Sequence, residues 1–278
     1  MPELPELEAL TGYLDEKLSM KTITSAMVKC SDCLQNVSAR EFLRIMHDKT
    51  ILSVSRRGKF VILNFADESR LLIHLFLKGE LNIFPDSTSD ADIVMYLCDG
   101  AALQLSDCMH LAKVYYAKPV AFGITGILEE LGPEPLSVEF NAELLKNRIK
   151  NDSRSIKLVL TDQKVVAGIG NAYVSEILYK SGVHPRATAM FLPMESVERI
   201  VAATKSILDQ AINVCVTECK KCPSMHVFER ESRKHLQVFL KEGSSCPLCG
   251  DTIQKVNIAA RASYFCPTCQ STKGVHLS

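Results

Sequence analysis

Leu131-Gly-Pro-Glu-Pro-Leu136 divides the chain. Two prolines and a glycine within six residues stop both regular structures, because proline removes a backbone donor and glycine gives up backbone restraint. On the N-terminal side, from Thr22 to about Phe122, the sequence runs in short β-rich stretches such as Phe60–Phe65, Leu71–Leu75 and Asp92–Leu97, punctuated by Gly, Asp and Ser. That spacing predicts an antiparallel sandwich or barrel. On the C-terminal side apolar residues recur at helical period, predicting helices over about 138–150, 155–161, 171–181 and 193–214. At the far N-terminus Leu7, Leu10, Leu14 and Leu18 predict one more helix, about 5–20. Pro2 and Pro5 bracket Glu3, so Met1–Leu4 reads as a fixed arm leading into that helix.

Further downstream, Cys246-Pro-Leu-Cys249 and Cys266-Pro-Thr-Cys269 are two C-x2-C pairs separated by sixteen residues. This is the spacing of a tetrahedral zinc ribbon, with Cys246, Cys249, Cys266 and Cys269 as ligands of one structural Zn2+. Four thiolates leave no open position for a catalytic water, so the metal folds the peptide and the chemistry must lie elsewhere. The expected fold class is α+β: an N-terminal antiparallel β-sandwich with a leading helix over 1–130, a helical domain over 137–235 and a zinc-ribbon finger over 238–272.

Composition narrows the classes. A chain of 278 residues that is 47% hydrophobic can bury a substantial core. No apolar run reaches the roughly 18 residues of a membrane span, and the N-terminus lacks the basic flank and apolar core of an export signal. Eleven cysteines without such a signal point to a reducing compartment, hence a cytosolic location, nucleoid-associated in a bacterium. Thirty-two basic and thirty-two acidic residues cancel, so no global field advertises a polyanionic partner. Residues 215–265 nevertheless carry eight Lys or Arg against five Asp or Glu, and Arg56, Arg57 and Lys59 surround Gly58. Both clusters permit nucleic-acid binding without requiring it.

The chain has no G-x-S-x-G, H-E-x-x-H, P-loop or dinucleotide fingerprint. Its own end is chemically competent. Removal of Met1 before the small Pro2 would leave a secondary α-amine with a reference pKa near 8, about a tenth of it neutral at pH 7. Such an amine attacks an electrophilic carbon to form an iminium, and the adjacent Glu3 can act as general acid and base.

Four segments occur in one order: Met1-Pro-Glu-Leu-Pro-Glu6, Arg56-Arg-Gly-Lys-Phe60, Asp162-Gln-Lys-Val-Val-Ala-Gly-Ile-Gly-Asn-Ala-Tyr-Val-Ser-Glu-Ile-Leu178 and Arg261-Ala-Ser-Tyr-Phe-Cys-Pro-Thr-Cys-Gln270. Together they resemble the formamidopyrimidine-DNA glycosylase and endonuclease VIII family, from residue 1 to about 270. The resemblance implies a bifunctional repair enzyme, acting as a monomer on double-stranded DNA with damaged bases or abasic sites. Pro2 would attack C1′, Glu3 would assist sugar opening, and β- then δ-elimination would nick the strand. It further implies phosphate contacts from Lys59, Asn171 and Arg261. The residues agree: Gly168-Ile-Gly170 makes a tight turn and Asn171 is a favoured N-cap, so amides at the next helix N-terminus, Gly170 included, converge on an anion in a helix-two-turn-helix. Gly182 suits the helix's left-handed C′ position, with Pro185 preventing continuation.

Some positions depart from the family. Flipping a base out of the stack leaves a hole for side chains to fill. Leu77 stands where the family usually has methionine, and His110 and Leu111 where it has arginine and phenylalanine. The residues 215–235, where a lesion-capping loop is expected, are also unlike the purine enzymes. There Cys215, Cys219, Cys222 and His226 either bind a second metal or are unligated. Cys30-x2-Cys33 reads as a turn beside a strand, and His47, His74 and His184 as structural. The competing functions are an endonuclease VIII-type enzyme for oxidised pyrimidines and a family member that binds damaged DNA without cutting. Intact Pro2 and Glu3 argue against the latter.

Overall fold

The computed structural model describes residues 1–85, 90–118 and 125–277. The chain forms two compact units, Met1–Glu129 with Ile212–Ser232, and Glu130–Ala211 with Arg233–Ser278. No helix among the described residues is long and apolar enough to cross a membrane.

The first unit contains α1 (Leu4–Leu18), β1 (Thr22–Val28), α2 (Ala39–Met46), β2 (Lys49–Arg57), β3 (Phe60–Phe65), β4 (Arg70–His74), β5 (Glu80–Phe84), β6 (Ile93–Leu97), β7 (Ala102–Ser106), β8 (Lys113–Ala117) and α3 (Thr125–Glu129). Residues 119–122, the expected end of the β-rich region, lie outside the described residues. The strands run in the order β5-β7-β6-β1-β2-β3-β4-β8, each antiparallel to its neighbour. β1 and β2 share only Thr22↔Thr50 and Ile23↔Lys49, so the ladder is thinnest at its middle. Strands on both sides of that seam contribute to one core: Ile23, Met95 and Leu103 from one half, Leu63, Ile73 and Val114 from the other. The expected sandwich is what forms.

α1 starts one residue before the expected boundary and packs on this core through Leu7, Leu10, Leu14 and Leu18, all at or below 1% exposure. Each buried leucine contributes about 1.5–3 kcal/mol. α2 was not anticipated within the β-rich stretch. It is capped by Ser38, whose Oγ accepts from the Glu41 N–H at 3.2 Å, and it buries Phe42 and Met46 one turn apart.

The second unit contains α4 (Ala142–Ile149), α5 (Ile156–Thr161), α6 (Asn171–Ser181), and the start of α7 (Met194–Lys221). α8 (Met225–Arg233) follows almost wholly in the first unit, and β9 (Gln254–Ile258) and β10 (Arg261–Phe265) form the ribbon hairpin in the second. Gly132 closes the dividing segment against the α5–α6 connection. A Cβ there would sit 2.5 Å from the Val165 backbone, so only glycine fits.

Cys215, Cys219, Met225 and Phe228, within the 137–235 span expected for the helical domain, are at or below 2% exposure in the first unit's core. One expectation is corrected. The expected capping loop over 215–235 is largely helical, its apolar residues falling at i, i+3 and i+4 spacing.

Candidate functional site

In the first unit Pro2 is buried and Glu3 is 3% exposed. Glu3 is the N-cap of α1, and its N–H donates to the Glu6 carboxylate at 2.9 Å in a capping box. The expected proline arm is thus fixed at a helix end, where the macrodipole favours carboxylates. The Met1 amine lies 3.4 Å from Glu229 Oε1 on α8. Glu229 carries no sequence signal, because an acidic residue on an unanticipated helix looks like surface charge.

Lys59 sits in the β2–β3 turn, where Gly58 holds a φ of +55°, and it is 6% exposed. Beside it Phe60 stacks edge-on to His74 at 5.0 Å, and His74 lies 4.1 Å from Phe76. Burial, then the Lys59 charge, pulls the His74 imidazole down to about 4. It is neutral at physiological pH and accepts from the Phe76 N–H at 3.2 Å. Leu77 follows on an exposed turn at 47%.

The β7–β8 turn is built on Asp107. Its carboxylate accepts from Met109, Leu111 and Ala112 N–H at 3.0, 2.7 and 2.7 Å, while its own N–H donates to Asp92 Oδ2 at 2.7 Å. His110 does not project freely, for its Nδ1 lies 3.3 Å from Asp92 Oδ1. The exposed apolar side chain of the turn is Met109, at 49%, which sequence reading passed over.

In the second unit Gly170, not Asn171, is the N-cap of α6, and Asn171 is the first helical residue. The expectation of Asn171 as cap is corrected, and the reason is local. Gly168 at φ +86° turns the chain sharply, and Gln163 clips the turn by accepting from Gly168 N–H at 2.8 Å and donating to the Ile169 carbonyl at 2.9 Å. Asn171 Oδ1 is buried without a hydrogen-bond partner. The unpaired amide oxygen is an acceptor open to an outside donor, beside the helix N-terminal amides that favour an anion. Gly182 terminates α6 at φ +68°; its N–H reaches Tyr179 O at 3.1 Å and Val183 N–H reaches Leu178 O at 3.0 Å, a Schellman motif.

α6 also carries the ribbon. Glu176, 2% exposed, accepts from Gln237, Val238 and Phe239 N–H at 2.8, 2.9 and 2.8 Å. Burial raises its carboxyl pKa, opposed by those three amides. Tyr179 Oη lies 3.1 Å from Cys246 Sγ. The four thiols are within 4.8 Å of one another, with Cys246–Cys269 at 3.8 Å and Cys249–Cys266 at 3.4 Å. The edge of a tetrahedron with Zn–S bonds of about 2.3 Å is about 3.8 Å, so the donor set fits zinc. Gln270 locks the second knuckle, accepting from Cys266 N–H at 2.9 Å and donating to Val183 O at 2.8 Å.

Arg261 is exposed on the hairpin, just after Ala259 and Ala260 at φ +47° and +61°. Lys157, 1% exposed, donates to the carbonyls of Arg261 and Ala262 at 3.2 and 3.0 Å. Burial, then the Arg261 charge, pulls its ammonium down to about 8. Lys157 was missed because a lysine in a helical pattern reads as solvated.

The second-metal candidate is not assembled: Cys215, Cys219, Cys222 and His226 form no ligand cluster among the described residues. Burial pushes the Cys219 thiol up to about 11, and His226 pairs with Glu80 at 2.9 Å. His184 packs edge-on against Phe265 at 4.7 Å and exposed His47 pairs with Asp48 at 2.9 Å.

A sandwich with a buried proline end, a helix-two-turn-helix and a zinc ribbon defines a DNA-processing class. Residues 1–114 match the formamidopyrimidine-DNA glycosylase N-terminal domain, 131–221 its H2TH domain, and 243–272 the zinc finger found in FPG and IleRS. A formamidopyrimidine-DNA glycosylase of Pelotomaculum thermopropionicum is 32% identical over 277 residues, 98% of this chain and all of that protein. The Lactococcus lactis formamidopyrimidine-DNA glycosylase, solved non-covalently bound to DNA containing an AP site, is 27% identical with a TM-score of 0.87, covering 97% of this chain and 99% of that one. Its complex with DNA containing FAPY-dG gives 0.86 at the same identity, covering 97% of this chain and 100% of that one. The chain belongs to the formamidopyrimidine-DNA glycosylase family: it is a zinc-ribbon DNA glycosylase for the repair of damaged bases.

Proposed function

We propose that the chain excises oxidised bases of the formamidopyrimidine and 8-oxoguanine type from double-stranded DNA, and then cleaves the abasic strand as a lyase. The observation that carries this reading is Pro2, buried beside Glu3 at the capped start of α1, in a chain of glycosylase ancestry. The Lactococcus relative's complexes with AP-site and FAPY-dG DNA support the substrate class. With Met1 removed, the Pro2 nitrogen attacks C1′ as the glycosidic C–N bond breaks, and the base leaves with that electron pair and takes up a proton. Glu3 moves protons during ring opening. The resulting iminium acidifies C2′–H, so β-elimination expels the 3′ phosphate and δ-elimination the 5′ phosphate.

Lys59, Asn171 and Arg261 take the roles of phosphate contacts, with amides at the Gly170–Asn171 end of α6 assisting. Leu77, Leu111 and the exposed Met109 are apolar and suit the space left by a flipped nucleotide. None offers the bidentate donor that reads cytosine, so the preference for the opposite base is weaker by about 1–3 kcal/mol.

Borohydride trapping on duplexes carrying formamidopyrimidine, 8-oxoguanine, an oxidised pyrimidine or an abasic site tests the reading. A covalent adduct through Pro2, absent when an uncleaved tag blocks the N-terminus, is expected, with the purine lesions trapped fastest. Equal trapping by tagged protein makes a lysine the nucleophile, and fastest trapping of the pyrimidine lesion replaces the substrate assignment. In the same assay, excision opposite cytosine more than about a hundredfold faster than opposite the other bases overturns the weak-reader assignment.

A further inference from the structure

Cys30, Asp92 and His110 come from separate parts of the first unit, yet one ligand atom of each lies within 4.8 Å of the other two. They follow β1, precede β6, and occupy the β7–β8 turn. Asp92 organises the group. Its carbonyl accepts from Lys29 and Cys30 N–H at 2.9 and 3.3 Å, which holds Cys30 in place. Its Oδ2 takes the Asp107 N–H at 2.7 Å, leaving Oδ1 towards His110 Nδ1. The Asp92 residue is 8% exposed, so the carboxylate is drawn from the protein interior.

Two features point to a ligand beyond the pair itself. The His110 Nδ1 to Asp92 Oδ1 separation of 3.3 Å is long for a charge-assisted hydrogen bond, which closes to about 2.7–2.9 Å. It matches the roughly 3.3 Å edge between a nitrogen and an oxygen sharing one tetrahedral zinc at about 2.0 Å each. His110 also holds a φ of +52°, a left-handed conformation unfavourable for a residue with a Cβ. Local strain of this kind persists where surrounding structure needs the side chain in one place. Cys33 stays out of the group, its thiol donating to the Cys30 carbonyl at 3.1 Å.

We propose that Cys30, Asp92 and His110 form a second metal site, distinct from the ribbon and taking one divalent ion of the zinc class. Thiolate, imidazole and carboxylate are the donors such borderline ions accept, whereas Mg2+ and Ca2+ seek oxygen alone. Three protein ligands leave the fourth position to water. Binding involves no redox change: the Cys30 thiol releases its proton to solvent and neutral His110 binds through Nδ1. The ion would tie the β7–β8 turn to the end of β1, and this holds whatever lesion the enzyme prefers.

Equilibrium dialysis of the full chain against micromolar Zn2+, followed by elemental analysis, counts the sites. Two zinc ions per chain are expected for the native sequence and one each for Cys30→Ser and His110→Ala. The His110 side chain is 57% exposed, so its truncation leaves the fold in place, and retention of the ribbon zinc confirms that. One zinc in the native chain, or two in either variant, overturns the proposal. Cobalt substitution supplies the ligand signature: thiolate-to-cobalt charge-transfer intensity should fall by about a fifth in Cys30→Ser, from five thiolates to four. An unchanged band places the second ion elsewhere and also overturns the assignment.

Discussion

The β9–β10 hairpin and the β7–β8 turn both hold non-glycine residues in the left-handed region, Ala259 and Ala260 in one, His110 in the other. They are held by different means. The hairpin belongs to a small apolar cluster of Val238, Ile253 and Tyr264, supplemented by four thiolates, the Glu176 carboxylate and the Lys157 ammonium. The β7–β8 turn sits against the large sandwich core, where one buried carboxylate, Asp107, accepts three backbone N–H groups. The difference teaches a rule of scale. A peptide that buries too little apolar surface to fix its own backbone needs a metal in order to fold, while a turn on a large core folds on a well-placed acceptor, whatever ion it then binds.

Removing the ribbon zinc should have the largest effect. Structural zinc supplies about 10–16 kcal/mol of folding free energy to such peptides, so Cys249→Ser or chelation should abolish amide protection across Gln254–Phe265. Hydrogen exchange should leave Phe60–His74 protected, and DNA affinity should drop. Retained protection in the hairpin would show that Glu176 and Lys157 suffice without metal.

Asp107→Ala should cost the first unit about 3 kcal/mol by denaturant unfolding, because three turn amides lose their acceptor. A loss under about 1 kcal/mol would mean that the core holds this turn unaided.

Acid should weaken the first unit through His74. The folded His74 pKa is depressed from 6.5 to about 4, so its contribution is present above pH 6.5 and is lost as pH falls towards 4, where the unfolded chain binds the extra proton. The full effect is about 3 kcal/mol. His74→Asn keeps an acceptor for the Phe76 N–H and should flatten the thermal stability of the first unit between those pH values. Parallel curves for both proteins would disprove the linkage.

The smallest effect has the opposite sign. Ala260→Gly relieves a left-handed alanine and should raise the ribbon's stability to chelator by about 1 kcal/mol. No gain would mean that the strain is already released in the metal-bound hairpin.

Much of this was legible. Leucines at helical spacing located α1, and paired cysteines located the ribbon. α2 carried a readable signal that the β-rich texture masked, Ser38 and Glu41 at capping-box spacing ahead of Phe42 and Met46. α8 and the late part of α7 were missed because a family expectation of a loop outweighed the helical spacing of Cys215, Cys219, Met225 and Phe228.

By itself the sequence determined the local and the covalent: periodicity, the proline end, the ribbon spacing, and the glycines whose backbone angles admit no other residue, as at Gly182. These depend on neighbours within a few positions. Only the tertiary structure decided that Lys157 and Glu176 are buried supports of the ribbon, that Glu229 reaches the N-terminus, and that Cys30 and His110 meet across Asp92. Those contacts join residues far apart in the chain, and a charged or thiol side chain at such a position looks the same in sequence whether it faces water or a buried partner. What separates the two cases is the desolvation that packing imposes, and packing exists only once the chain has folded.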